Sequence, residues 1–396
     1  MADLDAFRRE TRAWLEENCP PGARGPGQIP TGSTKIALEN KDLKLWLDRM
    51  AERGWTAPLW PKAYGGGGLS RAETAVLYEE MRRIEARLPL VGMGTSMIGP
   101  TLLEFGNEEQ KQRHLPRVVR GELSWCQGYS EPGAGSDLAS LRTRADDAGD
   151  HFVINGQKIW TSGAQFADWM FALVRTNQTA PKHESISFVL LPMDQPGITV
   201  RPIRLISGNS PFCETFFDNA IAKKEDLVGR LDHGWTVGKR LLQHERSGQG
   251  GISAGGGRRP MMVGPSLEKL AREYIGEDDG RIADPVWRGR VIDMNMSSRA
   301  FALTQRRAGE ENRDNRTPGE ATSIFKLYGA TLARERAEMA VELMGTRGIG
   351  WEGDVFRKHE LESTRQWLSS RAVTIFGGTN EIQKNIIAKR VLGLPD

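Results

Sequence analysis

The chain has 396 residues, more than one ordinary hydrophobic core holds, so two or three domains are expected. Its 54 basic and 51 acidic residues leave a formal net charge of +3 with no basic block, which excludes the charge pattern of a nucleic-acid-binding surface. No run approaches the roughly 20 apolar residues that span a bilayer. The N-terminal stretch carries acids and lacks the apolar segment of a secretory leader. Three cysteines, Cys19, Cys126 and Cys213, stand far apart with no paired spacing, which argues against a disulfide scaffold or a zinc site and for a reducing, cytoplasmic setting.

In chain order, the first zone reads as helix. Leu4, Phe7, Thr11, Trp14 and Leu15 recur at helical spacing, as do the apolar residues of 43–50. The glycines of WPKAYGGGGLS break this pattern, and it resumes over 71–85. Asn107 then caps the helix of NEEQKQRHLPRVVRG. The second zone changes period. HFVING, WMFALVRT, SISFVLLPM and GITVRPIRL are short, rich in β-branched and aromatic residues, and bounded by turn formers. A type I′ hairpin turn is expected at Asn155-Gly156. The third zone carries long amphipathic helices over 284–311, 320–344 and 359–375 and a last one over 380–391. The chain is therefore read as α+β: an N-terminal helical domain (1–122), a central β-barrel or sandwich domain (123–232) and a C-terminal helical bundle (233–396).

Three segments carry chemistry. In GYSEPGAGSD, 128–137, a Pro-Gly turn lets backbone N–H groups approach a ligand, with the hydroxyls of Ser130 and Ser136 beside it. In INGQKIWTSGAQFADW, Trp160 stands next to Thr161 and Ser162, an aromatic able to stack on a flat ring beside groups able to bond its edge. Near the end, Gly377 and Gly378 precede Thr379, Asn380 and Glu381 at the opening of a helix, whose free N–H groups favour an anion or a carbonyl oxygen.

Together and in order, these segments resemble the acyl-CoA dehydrogenase family over nearly the whole chain. WPKAYGGGGLS is similar to its N-terminal Pro-x-x-Tyr-Gly-Gly signature, and NEEQKQRHLPRVVRGE to the helix that enters its β domain. The resemblance implies an FAD flavoenzyme that introduces an α,β double bond into an acyl-CoA. It implies electron transfer to an electron-transfer flavoprotein and a homo-oligomer, dimer or tetramer. Residue by residue, it implies that Gln127, Tyr129 and Ser130, with Trp160, Thr161 and Ser162, surround the isoalloxazine. Ser136 would contact CoA, Thr379 and Glu381 would lie near FAD, and Gly378 beside the thioester. Arg272, in REYIG, is similar to the arginine of the family's Arg-x-x-Phe-Gly, which reaches the FAD pyrophosphate of a neighbouring subunit; here Ile275 replaces the Phe.

The catalytic base departs from the commonest pattern. Many members carry Glu directly before the C-terminal Gly-Thr, where this chain has Gly377. A minority, of isovaleryl- and long-chain type, place Glu before an Arg on an earlier helix, and LLQHERSG matches them with Glu245 and Arg246. Glu245 is thus the expected base, with Arg246 on the substrate side, while the backbone N–H of Gly377 serves the thioester oxygen. Two alternatives remain within the fold: an oxygen-using oxidase or monooxygenase, and a partner subunit that has lost flavin or base. The glycine tract 248–257 is expected to break its helix, with a wider acyl pocket as one consequence.

Overall fold

The structure is a computed structural model that describes residues 3–249, 265–311 and 321–395. The chain forms two compact units, one of residues 3–203 and 211–245, the other of 204–210 and the described residues beyond 245.

The first unit opens with helices α1 (Leu4–Asn18), α2 (Lys41–Glu52) and α3 (Arg71–Arg83). Each has a side-chain cap: Asp3, Asn40, and a Ser70/Glu73 capping box. Their apolar faces close a core of Leu15, Leu43, Trp46, Met50, Trp55, Leu77 and Met81. Glu80 is buried at its edge and takes Arg8, Arg12 and Arg83. Helices α4 (Gly99–Phe105) and α5 (Glu108–Val119) follow, and Asn107 with Gln110 forms the expected cap of α5.

The β layer comprises β1 (Trp125–Gly128), β2 (Arg144–Asp147), β3 (His151–Ser162), β4 (Trp169–Arg175), β5 (Ile186–Pro192), β6 (Ile198–Ile203) and β7 (Phe212–Lys223). The strand order is β1-β4-β2-β3-β7-β6, with β5 paired to β4, and β1 runs parallel to β4. Strands β4 and β5 are continuous apolar runs because both of their faces are covered. On β4, Phe171 and Leu173 pack with Ile98, Leu102, Leu115 and Val118 of the helices, whereas Met170, Ala172 and Val174 pack with Phe152, Ile154 and Phe217 of β3 and β7.

The expected turn at Asn155-Gly156 is not there. Strand β3 runs straight through this pair, and the β2–β3 hairpin turns earlier, at 148–150, where Gly149 has φ +94°. Asn155 and Gly156 instead sit at a register irregularity against β7, where the Asn155 side chain accepts the N–H of Asn219 at 2.9 Å. An Asn-Gly pair satisfies a bulge as readily as a turn, and the long partner strand selected the bulge. Helix α6 (Gly234–Gln249) follows the sheet.

The second unit contains α7 (Leu267–Tyr274), a hairpin of β8 (Glu277–Asp278) and β9 (Arg281–Ile282), then α8 (Pro285–Glu311), α9 (Ala321–Met344), α10 (Lys358–Ser370) and α11 (Asn380–Ile386). Leu267, Leu270, Val291, Met294, Met339 and Leu343 form its core. Val286, Ile292, Met296 and Leu303 on α8, with Ile324 and Tyr328 on α9, remain exposed in the single chain. No helix among the described residues is long and apolar enough to cross a membrane.

Candidate active site

The first unit builds one surface from the end of β1, the loop after it and the end of β3. Gln127 is half-buried on β1, and Ser130 is half-buried just past it. The loop then folds back in a tight turn in which Glu131 and Ala134 exchange both backbone bonds at 3.0 Å. Ser136 is exposed beyond that turn. The Ser130 carbonyl accepts the N–H of Ile159 at 2.9 Å, which fastens the loop to β3.

Strand β3 then does something its sequence does not announce. Phe152, Ile154 and Lys158 point inward with period two, and Trp160 would follow them. A bulge between Lys158 and Thr161 shifts the register by one, so Thr161 takes the inward place and Trp160 turns out. Trp160 is 52% exposed, has φ +61°, and stands edge-on to Phe212 at 6.1 Å. A left-handed backbone at a bulky residue costs about 1–2 kcal/mol and persists only where its surroundings impose it.

Two expectations change in consequence. Thr161 is buried between strands, its hydroxyl bonded to the Cys213 carbonyl and the Thr215 hydroxyl, each at 2.9 Å. Tyr129 is buried too, its ring edge-on to Phe171 and Phe188. Both side chains belong to the frame of the surface: Tyr129 packs in the apolar core with Phe171 and Phe188, and the bulge turns Thr161 inward. The candidates left half-buried or exposed are Gln127, Ser130, Ser136, Trp160 and Ser162. The hydroxyls of Ser130 and Ser162 have no hydrogen-bond partner among the described residues.

Sequence reasoning missed the pair beneath this surface. Lys158 is fully buried, and its ammonium donates to Glu131 at 2.8 Å and to the Tyr129 carbonyl at 3.1 Å. The Glu131 carboxylate also accepts the N–H groups of Arg142 (2.6 Å) and Thr143 (2.9 Å). Burial pushes the Lys158 ammonium down to about 8, with Glu131 opposing. Burial acts to raise the Glu131 carboxyl, but Lys158 and the N–H donors outweigh it and hold it below the usual carboxylate range. The available signal was a lysine at an inward-facing strand position.

The second unit places four candidates, Gly377, Gly378, Thr379 and Glu381, at one turn. Gly377 (φ +66°) and Gly378 (φ +90°) lead into Thr379, whose hydroxyl caps α11 by accepting the N–H of Ile382 at 3.3 Å. Glu381 is exposed on the first turn. Gln383, fully buried, donates to the carbonyls of Gly377 (3.1 Å) and Gly378 (3.4 Å), an anchor also missed from sequence. Arg272 lies in the last turn of α7 and is already engaged by Glu268 (3.1 Å), Glu277 (2.5 Å) and the Gly280 carbonyl (2.9 Å). Glu245 and Arg246 fall on the last turns of α6, and their side chains lie outside the described residues, as do residues 250–257 of the glycine tract.

Comparison with known proteins decides the family. The sequence matches the acyl-CoA dehydrogenase N-terminal domain over residues 1–122, the middle domain over 126–220 and the C-terminal domain over 232–392. The chain belongs to the acyl-CoA dehydrogenase family. It is 39% identical over 402 residues to acyl-CoA dehydrogenase IpdE1 of Mycobacterium tuberculosis, covering 100% of this chain and 99% of that protein. Among solved structures it is similar to the Tcur3481-Tcur3483 steroid ACAD (31% identity, 100% and 98% of the chains, TM-score 0.76). It is also similar to the ChsE4-ChsE5 complex from Mycobacterium tuberculosis (28%, 100% and 98%, TM-score 0.75). As an acyl-CoA dehydrogenase, the protein is an FAD-dependent oxidoreductase acting on acyl-CoA. The surface of the first unit fits such a group: a half-exposed indole for a flat ring, beside hydroxyls that have no hydrogen-bond partner among the described residues.

Proposed function

We propose that this acyl-CoA dehydrogenase acts on a bulky, steroid-derived acyl-CoA, that Glu245 is its base, and that it works as an oligomer with a second chain of the same fold. The observation that carries the substrate class is full-length similarity to a steroid ACAD at 31% identity. Assembly is supported by the uncovered apolar residues of α8 and α9, and by the similarity to the ChsE4-ChsE5 complex. An electron-transfer flavoprotein would reoxidise the enzyme, and a cytoplasmic location fits three buried, free cysteines.

In this reading, Trp160 stacks on the flat ring while Gln127, Ser130 and Ser162 hold its edge. The backbone at Tyr129 and Thr161, Thr379, Glu381 and Arg272 completes the contacts to the cofactor. Ser136 and Arg246 bind the CoA thioester, with Gly378 beside the reacting carbonyl. Glu245 removes the α-proton, which requires a carboxylate in hydrogen-bond reach and dry surroundings. The N–H of Gly377 meets the thioester oxygen as it gains charge, and a preorganised donor of this kind is worth about 100- to 1,000-fold in rate. FAD, when bound, accepts the β-hydrogen with its electron pair.

The test is anaerobic titration of the FAD-loaded protein with straight-chain, branched and steroid side-chain acyl-CoAs, following the flavin band. Steroid thioesters should bleach it and short straight chains should not. Glu245→Gln should bind the same thioester without bleaching. Bleaching by none of the panel would remove the dehydrogenase assignment of Glu245 together with the substrate class.

A further inference from the structure

We propose that the buried Glu131–Lys158 pair is a positioning device for the cofactor surface: it locks the Tyr129–Ser130 segment and the Trp160 bulge into one rigid frame, and FAD affinity depends on it. This rests on the reading of Ser130, Trp160 and Ser162 as the face that meets the flavin.

The pair's bonds all end on that frame. Lys158 holds the Tyr129 carbonyl, next to Ser130, at 3.1 Å. Glu131 begins the loop, and its carboxylate accepts the N–H groups of Arg142 and Thr143 where the loop returns, so one side chain closes the loop from both ends. Arg175 reinforces the closure by donating to the carbonyls of Leu141 (2.9 Å) and Ala139 (2.8 Å). Lys158 is also the last inward residue before the bulge. The bulge is pinned on its near side by Lys158 and by the Ile159–Ser130 bond, and on its far side by the Thr161 hydroxyl. Trp160 is thereby held in a backbone conformation it would not choose alone.

Stability alone does not account for the pair. An apolar pair of similar volume at a fully buried site is often as stable as an ion pair, because the charges lose their hydration. Apolar side chains cannot hold three backbone groups at fixed distances, and this ion pair does. A rigid frame also spares the cofactor the cost of ordering the loop when it binds.

The experiment compares FAD dissociation constants and apo-protein melting for the wild type, Lys158→Met, Glu131→Gln, the double variant, and Glu80→Gln as a control whose buried carboxylate lies among the N-terminal helices. FAD binding is read by flavin fluorescence and by the circular dichroism of the bound flavin band. Lys158→Met should weaken FAD by about tenfold, or about 1.4 kcal/mol, and alter the flavin dichroism. Glu80→Gln should lower the melting temperature and leave FAD affinity unchanged. The double variant has no unpaired buried charge, so its melting should recover toward wild type while FAD stays weakly bound. Should Lys158→Met not fold, Glu131→Gln and the double variant carry the same comparison. Recovery of both melting and FAD affinity in the double variant, or loss of melting with unchanged FAD affinity, would overturn the proposal. A wild type that binds no FAD would refute the assignment of the surface instead.

Discussion

Replacing Gly378 by alanine separates a backbone effect from a site effect. A Cβ there would lie 2.5 Å from Gln383 Nε2, on a backbone with φ +90°. Gly353 offers a matched comparison in the same unit, with φ +102° and nothing within 4 Å of an added Cβ. Both alanines meet the left-handed backbone penalty of about 1–2 kcal/mol. In Gly378→Ala the Gln383 amide must also move, and its bonds to the Gly377 and Gly378 carbonyls are worth about 1 kcal/mol each. The expected destabilisation is about 3–4 kcal/mol for Gly378→Ala and about 1–2 kcal/mol for Gly353→Ala. Urea unfolding measures this difference. Anaerobic stopped-flow reduction of the flavin by acyl-CoA measures the rest: a shifted turn misplaces its N–H donors, and the rate should fall about 100-fold, with Gly353→Ala at the wild-type rate. Equal stability losses would remove Gln383 as the anchor. A wild-type rate in Gly378→Ala, at the expected stability loss, would remove this turn from the thioester.

Two other perturbations test separate parts of the structure. Arg12 first, then Arg83 and Arg8, hold the Glu80 carboxyl at about 2 against the opposing effect of burial. A depressed folded value means that the stabilisation is complete above about 4.5, the carboxyl's ordinary value, and is lost as pH falls through about 2. Glu80→Gln should therefore flatten the acid limb of a melting-versus-pH curve, and an unchanged limb would contradict the triple-arginine cluster as its source. Trp160→Gly relieves left-handed strain of about 1–2 kcal/mol and gives up an edge contact of about 1 kcal/mol with Phe212, so apo melting should shift little. FAD should bind about tenfold more weakly, and unchanged binding would mean that the indole does not meet the flavin.

Much of the molecule is readable from local pattern. The helical spacing of Leu4 to Leu15 became α1, Asn107 became a cap, and four apolar runs became β3 to β6. Each signal lies within a dozen residues, the range over which period and capping act. The N-terminal, β and C-terminal motifs, met in order, were enough for the family. Strand β2, short and charged, and β7, whose alternation breaks at Asp218-Asn219, carried no such signal.

What tertiary structure alone decided is which way the site residues face. The family resemblance groups Tyr129, Trp160, Thr161 and Ser162 around one ring, but one extra residue in β3 sends Trp160 out and Thr161 in. That bulge has no local signature, since an isolated Trp disfavours φ +61°. Its cause is distributed: the partner strand β7, the Ser130 carbonyl, and a lysine paired with a glutamate 27 residues away. Residue types and their spacing determine the family and its chemistry. The orientation of a side chain at a bulge is set by the groups that the fold packs against it, and those are distant in the chain.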